Sequence, residues 1–129
     1  MIVVDASAIL ELLLNTRQAP QVAERLFTAG ETLHAPHLLD LEVAQVLRRY
    51  AIAGSLTAQR GEQALEDIGD LPLERYPHNL FMDRIWALRQ TLTAYDAVYV
   101  ALAEALAAPL VTRDAKLARA RHRAKVELL

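Results

Sequence analysis

The chain has 129 residues, long enough to bury roughly two-thirds of its unfolded surface in one core, so a single domain over residues 1–129 is expected. It contains no cysteine, which excludes disulfides, thiolate zinc sites and cysteine nucleophiles together and suits a reducing compartment, with the cytoplasm as the expectation. The formal net charge of −2 argues against a general nucleic-acid coat protein, and the absence of a basic leader or a long apolar run leaves neither export nor membrane insertion expected.

Taken in order, the β-branched run Ile2-Val3-Val4 reads as a strand that ends at Asp5, and the helical Ile9-Leu10-Glu11-Leu12-Leu13-Leu14 follows. Pro20 opens a second helix with Val22, Ala23, Leu26 and Phe27 at helical spacing, and Gly30 ends it. Thr32-Leu33-His34-Ala35 is a second strand. A mostly apolar helix carrying Glu42 then runs to Gly54, with Glu42 at the core side or its rim. Thr57 N-caps a surface helix that stops near Gly69, and Leu71 to Tyr76 is a third strand ended by Pro77. Leu80, Phe81, Ile85, Trp86 and Leu88 define an amphipathic helix. The stretch from Leu92 to Glu104 has almost no polar face, so it predicts a helix in the middle of the protein with Asp96 at its start. Pro109-Leu110-Val111-Thr112 is a fourth strand, Arg113-Asp114 turns into a basic helix reaching about Arg121, and Val126-Glu127-Leu128 is a fifth strand.

Strands alternating with helices predict an α/β protein with a largely parallel sheet, because parallel neighbours need helical crossovers. In such sheets the functional site lies beyond the carboxyl ends of the strands. Asp5 ends the first strand and Asp114 follows the fourth, while Glu42 and Asp96 sit near helix starts, so all four acids can reach one edge. Converging carboxylates repel and raise one another's pKa, an arrangement that a cation offsets. With no cysteine and no histidine patterned beside these acids, the donors are hard oxygens, which favours magnesium or manganese over zinc. Ser7 and Thr112 are placed to orient the carboxylates or to serve as turn caps. A site of this kind suits phosphodiester hydrolysis with no protein nucleophile.

Val4-Asp5-Ala6-Ser7-Ala8, Leu38-Leu39-Asp40-Leu41-Glu42-Val43, Thr93-Ala94-Tyr95-Asp96-Ala97 and Leu110-Val111-Thr112-Arg113-Asp114 together resemble a PIN domain of the VapC toxin type. The likeness extends over essentially the whole chain. It implies a three-layer α/β/α sandwich with about five short strands and a magnesium-dependent endoribonuclease, Mn²⁺ serving as an alternative to Mg²⁺. It also implies a homodimer, RNA as substrate and a VapB-type antitoxin as inhibitor. By the same likeness Asp5, Glu42, Asp96 and Asp114 are the metal-coordinating catalytic quartet, with Ser7 and Thr112 supporting. The alternatives are a PIN-type RNA-processing nuclease without antitoxin, a non-catalytic PIN-like interaction module and a receiver-like signalling domain. The last needs an acceptor Asp after the third strand, where Arg75-Tyr76-Pro77 stands.

Charge is polarised along the chain. Residues 113–125 carry Arg113, Lys116, Arg119, Arg121, Arg123 and Lys125 against Asp114 alone. Such a run reads first as a solvated face, and becomes an RNA contact, through Arg113 and Lys116, where it lies beside the acids. Trp86 and Phe81 read as core or dimer-interface groups, Tyr95 and Tyr99 as neighbours of the groove, Asp40 as a first-turn dipole acid facing away from it, and Glu11 as a solvated acid.

Overall fold

Ile2, Val3 and Val4 form the central strand β1 (Ile2–Val4), buried at every position, as suits a parallel strand covered on both faces. The computed structural model describes residues 1–129. β1 lies between β2 (Leu33–Pro36) and β4 (Leu110–Thr112), with β3 (Leu73–Tyr76) and β5 (Val126–Leu128) at the edges, in the order β3-β2-β1-β4-β5. All four pairings are parallel, with Val3 opposite both His34 and Leu110 at the centre.

The helices are α1 (Ala6–Leu13), α2 (Ala19–Leu26), α3 (Leu38–Ile52), α4 (Ala58–Asp70), α5 (Met82–Ala87), α6 (Ala94–Leu106) and α7 (Ala115–Arg119), with a 3₁₀ turn over His78–Phe81 before α5. They cover the sheet to give a three-layer α/β/α sandwich. α6 lies across β1, β2 and β4, while α1 packs with α2, α3 and α4. The seven consecutive residues Ala97–Ala103 of α6 are all buried, which is why its sequence shows no polar stripe.

Several boundaries differ from the sequence expectation for local reasons. α1 begins at Ala6, directly after Asp5, because the Asp5 carboxylate accepts the Ala8 N–H at 3.2 Å and caps the helix there. α6 is capped by Thr93, whose hydroxyl accepts the Asp96 N–H at 3.2 Å, so Asp96 stands inside the first turn and is not the cap. α7 stops at Arg119 and does not reach Arg121: the His122 ring donates from Nε2 to the Leu117 carbonyl and accepts the Ala124 N–H at Nδ1, turning the chain toward β5. The stripe of residues 80–88 is broken into a 3₁₀ turn and a six-residue helix. Ile85 and Leu88 are buried, but Trp86 is rotated off that stripe and is 68% exposed, so it is not a core residue.

Candidate functional site

Asp5 is the most enclosed acid of the chain's carboxyl-edge cleft. It follows β1, its side chain is buried, and three donors converge on it: the Ser7 hydroxyl at 2.7 Å, the Ala8 N–H, and the Thr112 hydroxyl. Burial pushes the Asp5 carboxyl above the ordinary range, the three hydrogen bonds pull it back, and Asp114 adds a further upward push. Thr112, at the end of β4, also accepts the Asp114 N–H at 2.9 Å, while Ser7 accepts the Arg113 N–H at 2.9 Å and lies 3.3 Å from Thr112. Ser7 and Thr112 thereby tie the ends of β1 and β4 into one hydroxyl-bridged platform.

Glu42, in the second turn of α3, reaches the same cleft from the other side. Its Oε1 accepts the Tyr99 hydroxyl of α6 at 2.5 Å. Burial raises its pKa, the Tyr99 bond opposes that, and the charges of Asp96 and Asp5 raise it again. Tyr99 is itself pushed far up by burial beside Glu42, so it stays protonated and acts as a donor. Asp96 is raised chiefly by burial, lowered by Lys116 and raised by Asp114. Asp114 caps α7 through Lys116 N–H at 2.9 Å. The Lys116 ammonium stands between two of the acids, 4.0 Å from Asp96 Oδ2 and 3.8 Å from Asp114 Oδ2.

The donors decide what such a cleft can hold. They are carboxylates and hydroxyls, with no thiolate in the chain, and His34 and His122 are engaged elsewhere, with Thr32, Tyr76 and Leu117. Hard oxygens, with the Asp5, Glu42 and Asp96 carboxyls pushed up chiefly by burial, fit a hard divalent cation. No three of them stand as a ready-formed ligand set, so holding an ion requires the side chains to draw together.

A family model described as PIN domain matches residues 2–123. The chain is 51% identical over 117 residues to Ribonuclease VapC9 of Mycobacterium tuberculosis, covering 91% of this chain and 88% of that protein. It is 42% identical over 130 residues to Ribonuclease VapC12 of the same organism, covering 100% and 99%. The chain belongs to the PIN-domain family of VapC ribonucleases. The fold of this PIN domain is shared with VapBC2 from Rickettsia felis, solved bound to a DNA fragment from its promoter, at a TM-score of 0.71 and 17% identity over 98% of each chain. PAE2754 from Pyrobaculum aerophilum gives a TM-score of 0.70 at 24% identity, covering 97% of this chain and 82% of that one.

Within this PIN domain, Asp5, Glu42, Asp96 and Asp114 come from four different elements into one electrostatic neighbourhood. Arg113 and Lys116 diverge. Arg113 is held by the Leu129 carbonyl at 2.7 Å and faces Glu11 at 3.8 Å, whereas the Lys116 side chain is 67% exposed. Glu11 is therefore not a solvated acid: it is partly buried beside Arg113 and accepts the Thr16 hydroxyl. Asp40 faces away from the cleft, paired with Arg75 at 2.7 and 3.0 Å. Tyr95 is 63% exposed and lines an apolar groove with Leu10, Leu38, Leu41 and Val46 next to Glu42. The role of Tyr99 as the donor to Glu42 was signalled only by its position one turn after Asp96.

Proposed function

We propose that this chain is a divalent-metal-dependent endoribonuclease, using Mg²⁺ or Mn²⁺, and the toxin component of a VapBC-type toxin–antitoxin pair. The observation that carries the reading is the convergence of four carboxylates from separate elements, three of them with pKa values held above the ordinary range. Asp5, Glu42, Asp96 and Asp114 would hold the cation, which when bound would lower the pKa of a hydrolytic water and neutralise charge on the leaving oxygen. Asp5 would supply the fixed ligand, since both of its oxygens are already oriented by Thr112, Ser7 and Ala8. Glu42, held by the Tyr99 hydroxyl, and Asp96 would complete the oxygen donors around the cation.

Two surfaces support the partners. The groove of Leu10, Leu38, Leu41, Val46 and Tyr95 beside Glu42 fits the apolar side of an antitoxin segment, and the structural neighbours include a toxin-antitoxin complex from Klebsiella pneumoniae. Leu80, Met82 and Trp86, between 51% and 68% exposed on the 3₁₀ turn and α5, form a patch suited to a homodimer. No helix is long and apolar enough to cross a membrane.

The test is incubation of purified protein with total RNA in Mg²⁺, Mn²⁺ or EDTA, followed by mapping of new ends. Cleavage is expected with metal alone and is expected to vanish in Asp5→Asn and in Asp96→Asn, which keep size but remove charge. Full activity in either variant, or equal cleavage in EDTA, refutes the assignment.

A further inference from the structure

Six cations lie between residues 113 and 125; Lys125 lines a separate pocket with Phe81 and Pro109, and the fold sorts the other five by what they already touch. Arg113 is committed to Glu11 and the Leu129 carbonyl, and Arg123 stands 3.6 Å from Glu104, which also receives Arg84 at 2.7 Å. Lys116 bridges Asp96 and Asp114. Arg119 and Arg121 have no carboxylate within ion-pair distance, and both line a groove of about 500 Å³ with Thr91, Thr93, Lys116 and Asp96. Asp96 is the one acid there, and it belongs to the catalytic cleft. The groove thus leaves the cleft with a strongly cationic lining.

The other exit from the cleft has the opposite chemistry. It passes Ser7, Leu38, Leu41, Val46 and Tyr95, with Arg49 as its one cation. An RNA strand brings one negative charge per nucleotide, and the apolar exit offers those charges little compensation.

We propose that the groove lined by Arg119 and Arg121, with Lys116 held by Asp96 and Asp114 at its cleft end, is the subsite in which the two guanidiniums hold the backbone phosphates of single-stranded RNA on one side of the bond to be cut. The proposal rests on the nuclease reading and specifies how the strand crosses the cleft. Lys116 stands at the boundary, its ammonium shared between the acids and the groove, and Arg119 and Arg121 carry the strand onward. Because these contacts go to phosphate, they position the strand and carry no base preference. Arg113, although it adjoins Asp114 in the chain, makes no part of this subsite.

The test compares the parent chain, Arg119→Gln/Arg121→Gln and the charge-matched control Arg17→Gln/Arg48→Gln, which removes two exposed arginines elsewhere. Binding of a fluorescein-labelled, mixed-sequence single-stranded RNA oligonucleotide is titrated in EDTA between about 50 and 300 mM KCl. Steady-state cleavage is then followed in Mg²⁺. The groove variant is expected to bind roughly tenfold more weakly near 150 mM salt, with the slope of log K against log salt reduced by about 1.4, two contacts at about 0.7 each. In cleavage its KM rises while kcat is retained, and the control keeps the parental slope. Equal slopes in parent and groove variant, with cleavage by the parent intact, overturn the subsite alone. An equal loss in the control overturns it too, since net charge then explains the effect. A parent that neither binds nor cleaves RNA refutes the nuclease reading and the subsite with it.

Discussion

Replacing Thr112 with valine isolates the hydroxyl bridge beneath the cleft. Thr112 is fully buried, its Oγ1 donates to Asp5 Oδ2, and the same oxygen accepts the Asp114 N–H at 2.9 Å. Valine fills the same volume and removes both bonds. A hydrogen bond to a charged group contributes about 1.5–3 kcal/mol, and an N–H left without a partner costs about 1–3 kcal/mol, less where water can reach it. Asp114 stands at the cleft rim, so the lower part of that sum applies and Thr112→Val should lose about 2–4 kcal/mol. At about 2.1 cal/mol/K per residue the unfolding entropy of 129 residues is about 0.27 kcal/mol/K, which makes the loss a drop in Tm of about 7–15 °C. Thr112→Ser keeps the hydroxyl and loses one buried methyl, about 1 kcal/mol or roughly 4 °C.

The assay is thermal unfolding of the three proteins in EDTA, repeated across pH. The Thr112 bond favours ionised Asp5, so the part of the gap due to it is full above the folded pKa of Asp5 in both proteins. That part is lost as pH falls through those values toward the ordinary 3.8. A valine variant melting as high as the serine variant, or a gap that does not narrow in acid, refutes the bridge.

Asp5, Glu42 and Asp96 all have folded pKa values above their ordinary 3.8, 4.5 and 3.8, so the native state holds protons that the unfolded chain releases. Their contribution to stability therefore falls as pH rises from about 4 through the raised values. Asp96→Asn removes one of the three, so in EDTA at neutral pH it should melt above the parent by about 1 kcal/mol, roughly 4 °C, with the gap closing in acid and closing or reversing as Mg²⁺ is added. A lower melting point in EDTA with no response of either protein to metal makes Asp96 purely structural. At the end of α6, Ala107 lies in the left-handed region at φ +49°, which costs an L-residue about 1–2 kcal/mol, so Ala107→Gly should raise Tm by about 4 °C after the greater chain entropy of glycine is subtracted. An unchanged or lower Tm contradicts that reading.

Asp5 and Asp114 were legible as cleft residues because each closely follows a short apolar run, and the end of a parallel strand fixes where the next side chains emerge. Asp96 was legible in place but ambiguous in role. Capping and first-turn positions differ by three residues, and only the observed bond from Asp96 N–H to Thr93 shows that the cap is already supplied. Tyr99 was placed near the groove by helical spacing, yet its bond to Glu42 depends on how α6 lies against α3, and no local pattern encodes a contact between residues 57 positions apart. The break between the 3₁₀ turn and α5 left Trp86 exposed for the same reason, since a continuous stripe assumes one unbroken helix.

The cations show the limit most sharply. Chain adjacency to Asp114 favoured Arg113 as an RNA contact, but its partners come from α1 and from the last residue, both distant in sequence. A charge is free for a ligand only when the folded chain has left it unneutralised, so the question is settled by the acids within reach of each guanidinium. Glu11 and Glu104 answer it for Arg113 and Arg123. For Arg119 and Arg121 no acid answers it, and the desolvation of a phosphate bound there would be offset by charges that have no competing partner in the fold. The order of acids along the sequence locates the cleft; in the proposed subsite, the pairing of cations in space would set the direction from which a polyanion enters it.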